Sequence, residues 1–266
     1  MAVLLMRLAG PLQSWGASSR FTRRETEAMP TKSGVIGMIA AALGLGRDAS
    51  LAGFEGLRFG SRSDQPGTLL RDYQTARNER DVMMPLSNRY YLQDAVFLVG
   101  LESDDALRLE EYRHALRAPY YPVFLGRRSC PPDGPIRTWM SQESLEDALR
   151  HAPWQAAEWY QRKALRNESM FPEQCFAQIV VEPRAGEQVN GEFVDALADE
   201  PVSFDPRRRE WRPRRVVRLP NDVRPEPTVH GVAPTSPADD GADTTASVFD
   251  DDAIFNTVAG ARGGEA

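Results

Sequence analysis

Lysine is almost missing from this chain. Of its 32 basic residues only Lys32 and Lys163 are lysines, and histidine occurs three times, as His114, His151 and His230. Cysteine is as scarce. Cys130 and Cys175 cannot build a metal site alone, and two thiols do not suggest a disulfide scaffold, so neither a metal nor a cofactor is expected. The longest apolar run lies within residues 35–45, well short of the roughly 20 residues that a membrane span needs. A basic leader segment is missing too, because Met1-Ala2-Val3-Leu4-Leu5 reaches Arg7 at once; no signal peptide and no membrane partner is expected. The expectation is a cytoplasmic protein. Its 41% hydrophobic and 26% charged residues are ordinary for a globular chain of 266 residues, which is long enough to bury a sizeable core.

The net charge of −6 is local. Residues 231–266 hold seven acids against Arg262 alone, which leaves 31 bases and 31 acids in residues 1–230. The first 90 residues carry 12 bases and 8 acids. A neutral body with basic patches and an acidic tail is compatible with nucleic-acid contact without requiring it.

Residues 28–46 stand out from this background. Lys32, Ser33 and Gly34 lie directly before a helix in which Val35, Ile36, Met38, Ile39 and Leu43 leave almost no polar face. Such a helix is expected to be buried, with Thr31 or Ser33 as its N-cap and Gly44 and Gly46 as stop signals. Two readings are open at its start. Thr31 and Ser33 merely cap a core helix, or the free N–H groups, the dipole and the Lys32 amine hold an anion. A Walker A loop is excluded, since Thr31 stands where that motif needs glycine. The anion would then be a polymer phosphate.

Along the chain, Val3 to Leu8 reads as a strand closed by Gly10-Pro11, followed by a helix at about 33–45. Leu57 to Ser61 and Asp94 to Glu102 read as strands, Asp104 to Arg117 as a helix, and Pro122 to Leu125 as a last short strand. That order predicts an α+β fold with a ferredoxin-like (RRM-like) βαββαβ core over residues 1–135. Residues 64–92 form an unusually long connection. It reads as a protruding arm with an apolar tip at Val82, Met83 and Met84, interspersed with Arg71, Arg77, Arg80 and Arg89. Residues 136–220 read as a smaller, irregular C-terminal α/β extension. There Ser141 to Arg150 is a short helix, Trp154, Trp159 and Tyr160 lie on another, and Ala177 to Glu182 is a strand. Arg207, Arg208, Arg209, Arg212, Arg214 and Arg215 cluster before a possible strand at 216–219. From 221 to 266 the composition predicts an acidic, disordered tail.

Several blocks together carry a family resemblance. They are Gly10-Pro11-Leu12-Gln13-Ser14-Trp15-Gly16, Ser19-Arg20-Phe21, Pro30-Thr31-Lys32-Ser33-Gly34-Val35-Ile36-Gly37, Asp72-Tyr73-Gln74-Thr75 and Leu125-Gly126-Arg127-Arg128-Ser129-Cys130-Pro131. In this order they resemble the CasD family of the type I-E CRISPR Cascade complex, over roughly residues 3–220. The resemblance implies a ferredoxin-like body with a thumb, here the arm at 64–92. It implies a ribonucleoprotein subunit for antiviral defence that holds the 5′ handle of the guide RNA (crRNA). Its implied partners are the Cascade backbone subunit and the large subunit, with target DNA met through the assembled particle.

Holding a single-stranded RNA end calls for phosphate clamps and pockets for splayed bases. Lys32, Ser33 and Gly34 are candidates for the first, with Arg20, Arg23 and Arg24 following the backbone. Trp15 is either a stacking surface or a core residue, and Arg127 and Arg128 either reach RNA or form structural ion pairs. The rival function is a metal-independent endoribonuclease that processes repeat RNA. It needs a general base with a cation, and the three histidines make no evident constellation in the sequence. A non-catalytic binder is therefore expected.

Overall fold

The computed structural model describes residues 1–16, 23–168, 172–184, 186–187, 194–220 and 223–229. Strand β1 (Ala2–Ala9) leads through the short strands β2 (Leu12–Gln13) and β3 (Arg23–Arg24) to helix α1 (Lys32–Ala42). Then come β4 (Arg58–Gln65), β5 (Thr68–Gln74), β6 (Ser87–Gln93), β7 (Val96–Ser103) and α2 (Ala106–Arg117). The second half supplies β8 (Arg137–Ser141), α3 (Leu145–His151), α4 (Glu158–Arg166), β9 (Gln178–Val181), β10 (Val194–Ser203) and β11 (Glu210–Arg218). The result is a mixed α/β body, rich in sheet. Among the described residues no helix is long and apolar enough to cross a membrane.

Seven strands form one antiparallel sheet in the order β10-β11-β9-β4-β7-β1-β8. Strand β1 lies inside it, between β7 and the edge strand β8, and its nearly unbroken apolar run fits burial on both faces. Alternation then assigns each side chain a layer. Leu4, Met6 and Leu8 join α1 and α2 in one core cluster, while Val3 and Leu5 join α3 in another. Arg62, wholly buried, donates to the carbonyls of Leu149, Ala152 and Pro153 at the end of α3 and pairs with Asp64. A cation at a helix C-terminus stabilises the exposed carbonyl dipoles.

A smaller sheet stands beside the main one. Strand β6 pairs along its whole length with β5 in a hairpin, and its other edge takes β2 and β3. Residues 64–92, expected as an arm, contain most of this hairpin, whose tip is closed by a bridge between Arg77 and Met83.

Three sequence expectations need correction. Residues 122–125 are no strand, because their polar groups serve a turn: Leu125 N–H donates to Cys130 and Leu125 O accepts from Ser14. The strand beside β1 comes instead from 137–141. Trp154 precedes α4 rather than lying on a helix; it is buried, with its indole N–H on Asp64 O at 2.8 Å. Residues 223–229, expected as part of a tail from 221, belong to the body. Val223 is buried in the core and accepts from Ala177 N–H, Glu226 O accepts from Trp154, and Thr228 bonds Gln161. Residues 230–266, where that expectation otherwise falls, lie outside the described residues.

Candidate nucleic-acid interface

At the start of α1, where the sequence left simple capping and an external phosphate both open, the structure places an internal carboxylate. Thr31 is the N-cap and accepts from Gly34 N–H, while Lys32 N–H donates to the Asp199 carboxylate at 2.8 Å. Asp199 is wholly buried and is gripped on its other side by Arg214, at 2.6 and 2.9 Å. The Lys32 amine is only 4% exposed as a residue and reaches Glu182 at 3.1 Å, Glu200 at 2.6 Å and Leu57 O at 2.8 Å. The phosphate clamp expected of Lys32, Ser33 and Gly34 is therefore occupied from within. The dipole and amine attract carboxylates of β10 and of the segment after β9.

Gly34 has a packing reason. A Cβ there would stand 2.8 Å from Trp15 Cε3. Trp15 is fully buried, with its indole N–H on Gln13 Oε1 at 3.1 Å, so it is a core residue and not a stacking surface. Gly126, at φ +85°, approaches Ser14 so closely that a Cβ would meet its carbonyl oxygen at 1.9 Å. Three of the blocks that carry the family resemblance thus interlock around one indole.

The buried ion cluster holds two cations, Lys32 and Arg214, and three carboxylates, Glu182, Asp199 and Glu200. Burial pushes the Glu182 carboxyl above its ordinary 4.5, although Lys32 and Arg214 pull it back down. A raised folded-state pKa favours the protonated native form. This contribution to stability is fully present below 4.5 and is lost as pH rises through the folded value. Glu182→Gln keeps an acceptor for Phe59 N–H and removes the excess charge. It should be at least as stable as the parent at neutral pH and flatten the stability profile above about 4.5, as read by urea unfolding across pH. A parent and variant whose profiles run parallel would contradict this.

Basic and aromatic groups come together on the hairpin instead. The β5–β6 register places Leu69, Arg71 and Tyr73 on one face with Asn88 and Tyr90. Arg71 donates to Asn88 Oδ1 at 2.8 Å and lies 6.0 Å over the Tyr73 ring, which is 60% exposed. Arg24 pairs in register with Arg89, whose Nε is buried without a hydrogen-bond partner. Arg127 staples this region. Its guanidinium donates to the carbonyls of Arg24, Glu25 and Tyr90 and sits 5.2 Å over the Tyr91 ring. Arg128 is exposed beside it. At the tip Val82, Met83 and Met84 are exposed, Met83 at 62%, with Arg80 exposed and Arg77 paired to Asp81.

Of the expected site residues, Arg24 and Arg128 are exposed and Arg89 is half-buried near the base of the hairpin, which Arg127 holds together, while Arg77, Arg80, Val82, Met83 and Met84 are exposed at its tip. Lys32, Ser33 and Trp15 are core, and Gly34 packs against the indole. Arg20 lies outside the described residues, as does the side chain of Arg23. The Arg71–Tyr73 pair was missed as a unit. The alternation in Leu69, Arg71 and Tyr73 was the signal that could have found it.

The chain matches the CRISPR-associated protein (Cas_Cas5) family over residues 3–219. It is 36% identical over 153 residues to the CRISPR system Cascade subunit CasD of Escherichia coli (strain K12), spanning 50% of this chain and 68% of that protein. A structure solved as "Crystal structure of Cas protein" superposes with a TM-score of 0.59 at 33% identity, over 84% of this chain and 98% of that one. A chain of a "CRISPR RNA-guided surveillance complex" superposes with a TM-score of 0.62 at 29% identity, over 82% and 90%.

Proposed function

Because this chain belongs to the CRISPR-associated Cas5 family, in its CasD group, we propose that it is a non-catalytic RNA-binding subunit of a Cascade surveillance complex. It holds the 5′ handle of the guide RNA and contacts the backbone and large subunits, in the cytoplasm, in antiviral defence. The observation that carries this reading is the β5–β6 hairpin: its base is anchored in the core by Tyr91 and Leu92, while an arginine and tyrosine face leads to an exposed apolar tip. In this reading the hairpin is the thumb. Arg71 and Tyr73 stack and clamp the strand, Arg24, Arg89 and Arg128 follow its phosphates, and the methionines fill an irregular gap beside a nucleotide or a neighbouring subunit.

The lateral order β4-β7-β1-β8, with α1 after β1 and α2 after β7, supports a ferredoxin-like core. That core then runs through β8 at 141 rather than ending at 135, and the strands from 178 onward are the C-terminal extension. Binding without cleavage is favoured by the state of Lys32, the cation a nuclease would recruit, whose amine is committed to Glu182 and Glu200. His151 faces Glu143 at 3.0 Å on an exposed helix end.

The test uses the full chain with labelled repeat RNA in metal-free buffer. Retention without scission is expected. Replacing the tip residues 78–86 by a short turn should leave thermal unfolding unchanged and weaken handle binding, and Tyr73→Ala should weaken it about tenfold, the loss of roughly one stacked base. Specific RNA product, or undiminished binding by the shortened chain, would overturn the proposal.

A further inference from the structure

The turn between β10 and β11, together with β11 itself, carries a charge that the fold does not use. Arg207, Arg208, Arg209, Arg212 and Arg215 are all exposed, five guanidiniums within nine residues. Arg214, in the same run, is turned inward to Asp199 and lies over the Phe59 ring. Arg212 shares the lining of one cavity with Asp48 and Glu55, and the other four have little compensation among the described residues. Arg208 meets Glu210 at 3.8 Å, both exposed, which is worth little in water. Asp205 is engaged with the backbone N–H of Arg207. Glu200, opposite Arg212 in the ladder, is directed to the Lys32 amine. Crowding like charges without counter-charge costs stability, so the arrangement is suited to an external polyanion.

The turn is also held in place. Phe204 packs on the core, with its ring 3.7 Å from the position a Cβ would take on Gly37 of α1. The arginines therefore stand on a fixed platform and not on a loose loop. Stacking surface is sparse: Trp211, 43% exposed, is the one outward aromatic on the described hairpin. Single-strand sites rely on successive aromatic platforms in a groove, whereas backbone contact to a duplex needs cations alone.

We infer that the β10–β11 turn is a second nucleic-acid surface, which grips the phosphate backbone of double-stranded DNA without reading sequence. It is independent of the handle reading, since it shares no residue with the β5–β6 hairpin. The test compares the full chain with an Arg207→Ser/Arg208→Ser/Arg209→Ser variant. The probes are a labelled duplex of about 30 base pairs and, separately, the single-stranded repeat handle, between about 50 and 200 mM salt. Removing three phosphate contacts should make the slope of log K against log salt shallower by about 2.7 for the duplex. Thermal unfolding and handle affinity should stay as in the parent. An unchanged duplex slope, or no duplex binding by the parent, would overturn the inference. An equal loss on the handle RNA would assign the surface to the guide strand and overturn it as well.

Discussion

Asp199→Ala is expected to cost the folded chain about 3–5 kcal/mol, a fall in Tm on the order of 10 °C. The carboxylate lies where three demands converge. It accepts from the first N–H of α1, it pairs with both inner nitrogens of Arg214, and no part of it touches water. Removing it strands a guanidinium that is 7% exposed and already has one nitrogen without a partner. It also leaves the positive end of a buried helix unanswered. Breaking one side of a buried pair is more damaging than replacing both sides, because the surviving charge stays in low dielectric. Urea unfolding checks this. A loss below about 1 kcal/mol would show that water or Glu182 takes over the role. The folded fraction of the variant should keep the parent's RNA affinity, as the cluster is internal.

That cluster shows where sequence reasoning reaches and where it stops. That the helix start and the Lys32 amine could hold an anion was legible, as one of two readings open there. Its identity was not. Asp199 is 167 residues away from Lys32 and Glu182 is 150, and no local pattern joins them. Strand β10 went unrecognised for the same reason. Its sequence, Val-Asp-Ala-Leu-Ala-Asp-Glu-Pro-Val-Ser, reads as a loop by propensity, with three acids and a proline. It becomes a strand because Asp199 is neutralised from β11 and because Pro201 sits on a sheet edge, where a missing N–H is tolerated.

By contrast β1, α1 and β7 were readable from their apolar runs, and α2 from its acidic N-cap and the helical spacing of Leu109, Tyr112 and Leu116. Strand β8 was not, because Arg-Thr-Trp-Met-Ser at an edge carries no run of apolar residues. The hairpin lies between these cases. Its length and its methionine tip marked it as a projection, whereas the face that brings Arg71 to Tyr73 emerges only once the register is fixed.

The glycine at 34 offers the cleanest separation of a packing role from a ligand role. Trp15→Ala should destabilise the protein by about 3–5 kcal/mol, as a fully buried indole is lost. Gly34→Ala alone should cost about 1–3 kcal/mol, because the new methyl stands 2.8 Å from Trp15 Cε3 and 3.0 Å from Cζ3. Combined, the two changes should not add. With the indole gone the methyl keeps only its 3.0 Å approach to Thr31 Oγ1, so most of the Gly34→Ala cost should disappear. The coupling in a double-mutant cycle should therefore be about 1–3 kcal/mol in the direction of rescue. If Gly34 instead served to bring backbone amides against a phosphate, Gly34→Ala would lower RNA affinity in the Trp15→Ala background as well, and the unfolding energies would simply add. Unfolding curves for the four proteins, with handle affinity measured on each, discriminate between the two.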